Sequence, residues 1–442
     1  MKIQLSDHFT YKKLLQFTLP SIVMMIFTSI YGVVDGFFVS NYVGKTPFAA
    51  VNFIMPFLMM LGAIGFMFGT GGSALIAKTM GEGHLEKAKR LFSLFVYVSA
   101  ACGILIAALG ILFVGPVAAA LGAEGEMLDY CILYGRIILF AMPAFMLQYE
   151  FQSFFVVAQK PQLGLAVTIA SGVTNMVLDA VFVAILDFGI AGAAAATAIG
   201  QAVGGILPLL YFSLPNSSLL RLTKTAFDGI ALLKACTNGI SELLSNISMS
   251  VVGMLYNVQL VKYAGEDGVA AYGVLMYVNM IFLAAFIGYA VGSAPVIGYH
   301  YGAENRKELR GLLKRSLVII GIFSILMLLA GELLAKPLSI IFVSYDPDLL
   351  SLTLRGFTIF SFSFLFSGIA ILGSSFFTAL NDGFTSALIS SLRTLVFQVA
   401  AVLTLPLILD MDGIWLSIVI AEFLAAVVAA LLLFGKRKRY FY

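Results

Sequence analysis

The stretch GTGGSALIAKTMGEGHLEKAK, residues 69–89, has a counterpart later in the chain: AVGSAPVIGYHYGAENRKELR, residues 290–310. At an offset of 221 residues, Gly71, Ile76 and Gly81 match Gly292, Ile297 and Gly302, and a basic, polar loop follows each apolar run. Tyr42, Gly44, Ala49 and Ala50 match Tyr263, Gly265, Ala270 and Ala271 at that same offset, and FFVVAQ (154–159) meets FFTALN (376–381) at 222. Each match is short, but a shared offset near half the chain length marks a duplicated unit.

Each copy is built for lipid. Of 442 residues, 61% are hydrophobic and 11% charged, and the mean hydropathy is +1.01. A soluble domain of that composition would lack the polar groups to cover its surface. Twelve apolar blocks are expected to cross the membrane: 14–40, 49–77, 91–113, 127–156, 161–186, 190–213, 232–261, 268–298, 316–335, 349–379, 383–409 and 412–434. Their lengths suit about 30 Å of hydrocarbon. The expected fold is an all-α polytopic membrane protein of two six-helix lobes in a parallel 6+6 repeat. The N-lobe covers 1–213, an interlobe linker 214–231 and the C-lobe 232–442. The first block is too long for a signal-peptide core and has no A-x-A cleavage site, so it reads as a retained helix.

Charge gives the orientation. The tails and the loops joining even to odd blocks hold 20 basic residues, among them Lys2, Lys78, Arg310, Lys314 and the run Lys436 to Arg439. The opposite loops hold 3, Lys45, Lys262 and Lys336, and are acidic: Glu124, Glu126, Asp187, Glu266, Asp267, Asp346, Asp348, Asp410 and Asp412. Basic loops stay cytoplasmic. Both termini are therefore expected on the cytoplasmic side, and the membrane is expected to be a bacterial or archaeal plasma membrane. The terminal basic run reads as a flank beside anionic lipid rather than a nucleic-acid patch. Cys102, Cys131 and Cys236 are isolated and suggest neither a metal site nor a disulfide framework.

Six spans per copy give both halves the same orientation, related by an axis along the membrane normal with a cavity between rocking lobes. That is a transporter plan. There is no G-x-x-x-x-G-K-[ST], so no P-loop ATPase, and no catalytic set, so no enzyme is expected. GTGGSA (69–74) suits close helix packing. His8, His84 and His300 are scattered and read as solvated or interfacial. An ion gradient remains as the energy source, with no cofactor.

The ionisable residues inside the blocks carry the chemistry. Asp35 in the first block, Asn175 and Asp179 in the fifth and Thr197 in the sixth fall at one depth, roughly 8–11 Å below the acidic boundary at about 1.5 Å per residue. Asn175 and Asp179 share a helix face at i, i+4. Two carboxylates, an amide and a hydroxyl offer hard oxygens to Na⁺, and two neighbouring carboxylates can instead carry a proton. Hydrogen bonding that merely ties three helices together is the structural alternative. Asp35 aligns with Tyr256 in the second copy, and the region facing Asp179, near Ala401, is apolar. The acids belong to one lobe only.

The chain resembles the multidrug and toxic compound extrusion (MATE) family over its full length. The resemblance rests on FTLPSI with Pro20, on VVDGFFVSNYVG, on the two loops MGEGHLEKAKR and YGAENRKELRG, and on AQKPQLGLAVTIASGVTNMVLD. It implies a DinF-like branch in which Asp35, Asn175, Asp179 and Thr197 bind the coupling Na⁺ or H⁺. It also implies a helix 1 that bends near Pro20, a rocker-type switch, and export of lipophilic, often cationic compounds. The NorM-like branch places acids in helices 7 and 10. Helix 10 here has none, and Glu242 in helix 7 lies near the cytoplasmic side.

Glu150 and Glu242, toward the inner ends of their helices, either line an inward-open cavity or snorkel to water. Arg393 and Glu422, near mid-membrane, are expected to pair structurally. A lipid-linked oligosaccharide flippase is the alternative within transport, but Arg136, Arg355 and Arg393 are few and dispersed for a phosphate-linked cargo. A non-transporting scaffold is the alternative outside it. The expected partners are small organic substrates and membrane lipids, with no nucleic acid, and the working unit is expected to be a monomer.

Overall fold

A computed structural model describes residues 3–343 and 346–442. Lys2 and the Glu266 side chain, counted above, lie outside the described residues. The described chain contains helices and connections and no strand. The spans are α1 Tyr11–Val43, α2 Lys45–Gly81, α3 Leu85–Ala120, α4 Gly125–Phe140 with Met142–Val157, α5 Pro161–Ile185 and α6 Gly189–Ser213. The second copy supplies α7 Gly229–Gly265, α8 Asp267–Gly302, α9 Arg306–Ile340, α10 Pro347–Ala379, α11 Gly383–Thr404 and α12 Pro406–Tyr440. The twelve expected blocks are these twelve spans.

Local chemistry sets the boundaries. Thr10 caps α1 by accepting the Lys13 N–H, and Asp228 caps α7 by accepting those of Ile230 and Ala231. The matched glycines Gly44 and Gly265 both sit at positive φ, 103° and 60°, where α1 meets α2 and α7 meets α8. A side chain is disfavoured there, so both copies turn the same way at the same place. The two parts of α4 meet at 57° around Ala141. Pro143 follows the break; its ring cannot sit over the preceding turn and it offers no N–H.

The buried core is forked. One apolar cluster joins the two lobes on the basic side, with Phe17, Ile76 and Phe154 from the first copy and Val296, Leu312 and Phe376 from the second. Toward the acidic side it gives way to two separate clusters. One holds Ile54, Val114 and Tyr134 of the N-lobe, the other Val252, Leu275 and Trp415 of the C-lobe. The joined side is fastened by backbone contacts. A methyl on Gly71 would lie 2.6 Å from the Gly239 nitrogen, and one on Gly292 3.0 Å from the Thr18 Cα. Thr18 and Gly239 are themselves 221 apart, so the two contacts are one contact repeated about the pseudo-two-fold axis. On the acidic half of the facing helices, a methyl on Gly32, Gly36, Gly253 or Gly273 would meet no other described part of the chain within 4 Å.

His300 is buried rather than solvated. Residues before α1 fold across the basic ends of α8 and α9, placing His300 Nε2 3.3 Å from the Asp7 carbonyl oxygen. Glu308 holds that segment by accepting the Phe9 N–H at 3.0 Å, with His8 Nδ1 2.6 Å away.

Candidate cation site

Helix α5 organises the site because it is small where its neighbours approach. Gly172 admits α1: a methyl there would lie 2.6 Å from the Phe27 ring and 2.9 Å from that of Tyr31. Gly200 admits α6 in the same way: a methyl there would lie 2.9 Å from the Asn175 Cβ. The Ser171 hydroxyl donates to the Gly200 carbonyl at 2.7 Å and accepts from Gln148 Nε2 at 3.1 Å, fixing α4, α5 and α6 to one another. One turn above Ser171, Asn175 is therefore held between α1 and α6.

The structure brings Asp35, Asn175, Asp179 and Thr197 together. The Thr197 hydroxyl donates to Asp35 Oδ1 at 3.2 Å. Asn175 Nδ2 points at the same carboxylate oxygen, 3.5 Å away, and at Thr197 Oγ1, 3.4 Å away. Asp179 is completely buried and lies close enough to Asp35 for the two carboxyls to interact. Among the described residues, neither Asp179 oxygen has a hydrogen-bond partner, and Asn175 Oδ1 has none. Three buried acceptors without donors are costly unless a cation or a proton joins them. The oxygen-only donor set fits Na⁺, a hard ion, and equally a shared proton.

Two helical irregularities coincide with the acids. A π-helical turn runs from Val39 to Val43, one turn beyond Asp35, and another from Ala180 to Ile185, directly after Asp179. Such turns are rare and often mark functional positions. Tyr31 and Tyr134 stand beside the carboxyls, and Tyr134 is fully buried. Tyr134 was not legible as a neighbour from spacing, whereas Tyr31 was, lying one turn before Asp35. Ser171 was legible too, being one turn from Asn175.

The C-lobe equivalent is neutral. The Tyr256 hydroxyl donates to Gln398 Oε1 at 2.7 Å where the N-lobe has its acids. Arg393 Nε lies 3.0 and 2.8 Å from the two oxygens of Glu422, so both charges are matched. Glu242 is half-buried and within electrostatic reach of Arg393. Glu150 does not face water in this structure. It is completely buried inside the N-lobe, its backbone against Gly69 of α2 and its carboxyl beside Ser99 and Cys102 of α3. Close packing at Gly69 pulls this turn of α4 inward, so the side chain does not snorkel. Pro20 is buried within α1, next to the contact with Gly288 and Gly292 of α8.

An all-helical, two-lobed, multi-pass membrane protein with an acidic site confined to one lobe is the class this architecture defines. The MatE family profile matches residues 20–181 and again 243–403, once in each lobe, and the chain belongs to that family of multidrug efflux transporters. The multidrug export protein MepA of Staphylococcus haemolyticus (strain JCSC1435) is 26% identical over 97% of this chain and 94% of that protein. MepA of Staphylococcus aureus (strain MSSA476) is 24% identical over the same shares. A solved structure described as the outward-facing conformation of a multidrug resistance MATE family transporter superposes with a TM-score of 0.91, covering 98% of this chain and 96% of that one at 23% identity.

Proposed function

We propose that the chain is a secondary antiporter that exports lipophilic, often cationic organic compounds while Na⁺ or H⁺ enters, the ion being carried by Asp35 and Asp179 with Asn175 and Thr197. The observation that carries this reading is the contrast between lobes. Buried oxygens without donors surround the N-lobe acids, whereas the equivalent C-lobe position holds the neutral Tyr256–Gln398 pair and the nearby Arg393 is paired with Glu422. The relatives named above are multidrug export proteins, which supports the substrate class.

The forked core is an outward-open state if the basic side is cytoplasmic, as the positive-inside rule requires. In that state the site communicates with the side from which the driving ion arrives. Ion binding cancels the repulsion between the two carboxyls and draws α1 toward α5. Protonation competes for the same oxygens, releases Na⁺ and frees α1 to bend at Pro20. The lobes are taken as 1–213 and 232–442, rocking about the linker 214–231. The arrangement of the N-lobe acids favours the DinF-like branch. A flippase is less well supported, because Arg355 is engaged by Asp412 at the acidic rim and Arg393 by Glu422.

Proton release on adding Na⁺ to purified protein near neutral pH tests the shared site. Release in the wild type and its loss in Asp179→Asn are expected. Sodium binding that ignores pH, or is unchanged in the variant, contradicts a two-carboxylate site.

A further inference from the structure

A groove of about 990 Å³ opens on the basic side between α9 and the end of α12, far from the acidic site. Its rim carries Arg306, Arg310 and Lys314 of α9 and Arg437 and Lys438 of α12, and no Asp or Glu lines it among the described residues. The three α9 residues recur at i, i+4 and i+8 and so form one row along the helix. The floor is apolar, with Leu313, Leu317, Leu433 and Phe434 among its residues, and Phe434 is 67% exposed.

Among the described residues these cations pair with no Asp or Glu. The nearby carboxylates are committed elsewhere: Glu308 to Phe9, His8 and Arg315, and Asp382 to Lys436, Tyr440 and Thr385. Two guanidiniums are preset by aromatic faces, Arg306 over Phe441 at 3.9 Å and Arg437 over Phe434 at 4.5 Å. Simple charged flanks point outward into water. These converge from two helices on a trough whose lower wall continues into the hydrocarbon region.

The duplicated unit supplies a control. The α3 positions 221 residues before Arg306, Arg310 and Lys314 are Leu85, Lys89 and Ser93. There Lys89 is paired with Glu86 at 2.6 Å, and Ser93 Oγ accepts the Thr223 N–H of the linker at 2.8 Å. The N-lobe covers this face with its own chain and carries no cation row on it. The C-lobe leaves the face open and lines it with charge.

We propose that the α9–α12 groove binds one anionic glycerophospholipid. Arg310, Lys314, Arg437 and Lys438 hold its phosphate, and an acyl chain lies along Leu317 and Phe434. Basic pockets between spans on the cytoplasmic side suit such headgroups. The inference does not depend on which ion drives transport.

Native mass spectrometry of the purified full chain, given phosphatidylglycerol or phosphatidylcholine of identical acyl chains, tests it. The wild type is expected to retain one phosphatidylglycerol and no phosphatidylcholine. At about 1 kcal/mol per basic residue, Arg310→Gln with Lys314→Gln should weaken retention about thirtyfold. The exposed pair Lys12→Gln with Lys87→Gln, outside the groove, should leave it unchanged. Equal retention of both lipids, or full retention by the groove variant, overturns the proposal. Displacement of the lipid by excess inorganic phosphate also overturns it, since it would make this a phosphate site only.

Discussion

Gly81 and Gly302 make reciprocal contacts across the lobe interface. A methyl on Gly81 would lie 2.0 Å from the Tyr299 carbonyl oxygen, and one on Gly302 2.0 Å from that of Lys78. Gly81 and Gly302 are 221 residues apart, as are Lys78 and Tyr299. The duplication seen in the sequence is thus the symmetry of the basic-side seal, where the backbones touch because neither copy has a side chain.

Gly81→Ala and Gly302→Ala should therefore have similar effects. Each overfills a backbone contact and should cost the sealed state about 1–3 kcal/mol. Spin-label distances across the basic side should lengthen and export should fall, whereas Gly321→Ala, beside open space on α9, should do neither. Unequal effects at the two glycines would contradict the pseudo-symmetric seal.

Asp35→Asn and Asp179→Asn should each abolish gradient-driven export while leaving membrane insertion intact, because they remove charge and keep shape. Efflux from proteoliposomes under an imposed Na⁺ or pH gradient measures this. Thr197→Val, which deletes only one donor to Asp35, should weaken ion affinity rather than eliminate coupling. Normal efflux in the Asp35 variant would remove the ion site from the N-lobe.

Glu422→Gln should act on stability more than on coupling. It leaves Arg393 mostly buried without its counter-charge, a loss of about 3–5 kcal/mol for a buried pair. Replacing both partners, Arg393→Met with Glu422→Leu, should recover much of that stability. Melting temperature in detergent and expression-normalised efflux separate the two effects. Efflux as low as in Asp179→Asn at equal expression would argue for an ion role in the C-lobe.

Acid should loosen α12. Burial opposes ionisation of Asp382, in the turn between α10 and α11. Lys436, the Thr385 hydroxyl, the Tyr440 hydroxyl and the Thr385 N–H outweigh it and hold the carboxyl at about 2, below its ordinary 3.8. Its contribution is full above about pH 4, fades as the pH falls toward 2, and amounts to about 2 kcal/mol. Asp382→Asn should lower the melting temperature at neutral pH and flatten its fall between those values. An unchanged acid profile would show that the cluster does not anchor the helix.

Much of the fold was legible because bilayer physics is local. A span must be about twenty apolar residues long and must satisfy its own backbone, so twelve spans and their alternation follow from the order of residues alone, while helix ends such as Arg306 and Tyr440, well beyond their apolar blocks, do not. The duplication was legible because matched glycines such as Gly44 and Gly265 recur wherever the backbone needs them. Helical rise and the i, i+4 rule put Asp35, Asn175, Asp179 and Thr197 at one depth. They could not say that Asp179 and the Asn175 carbonyl are left without donors. Which side chains find partners depends on how closely helices distant in sequence approach. Tertiary packing alone decided that Gly172 and Gly200 draw α1 and α6 onto α5, that Gly69 draws Glu150 inside, and that the N-terminal segment covers His300. The forked core is of the same kind. Every apolar block could have packed against lipid or against protein, and only the positions where two backbones meet without a side chain between them determine which side of the molecule is closed.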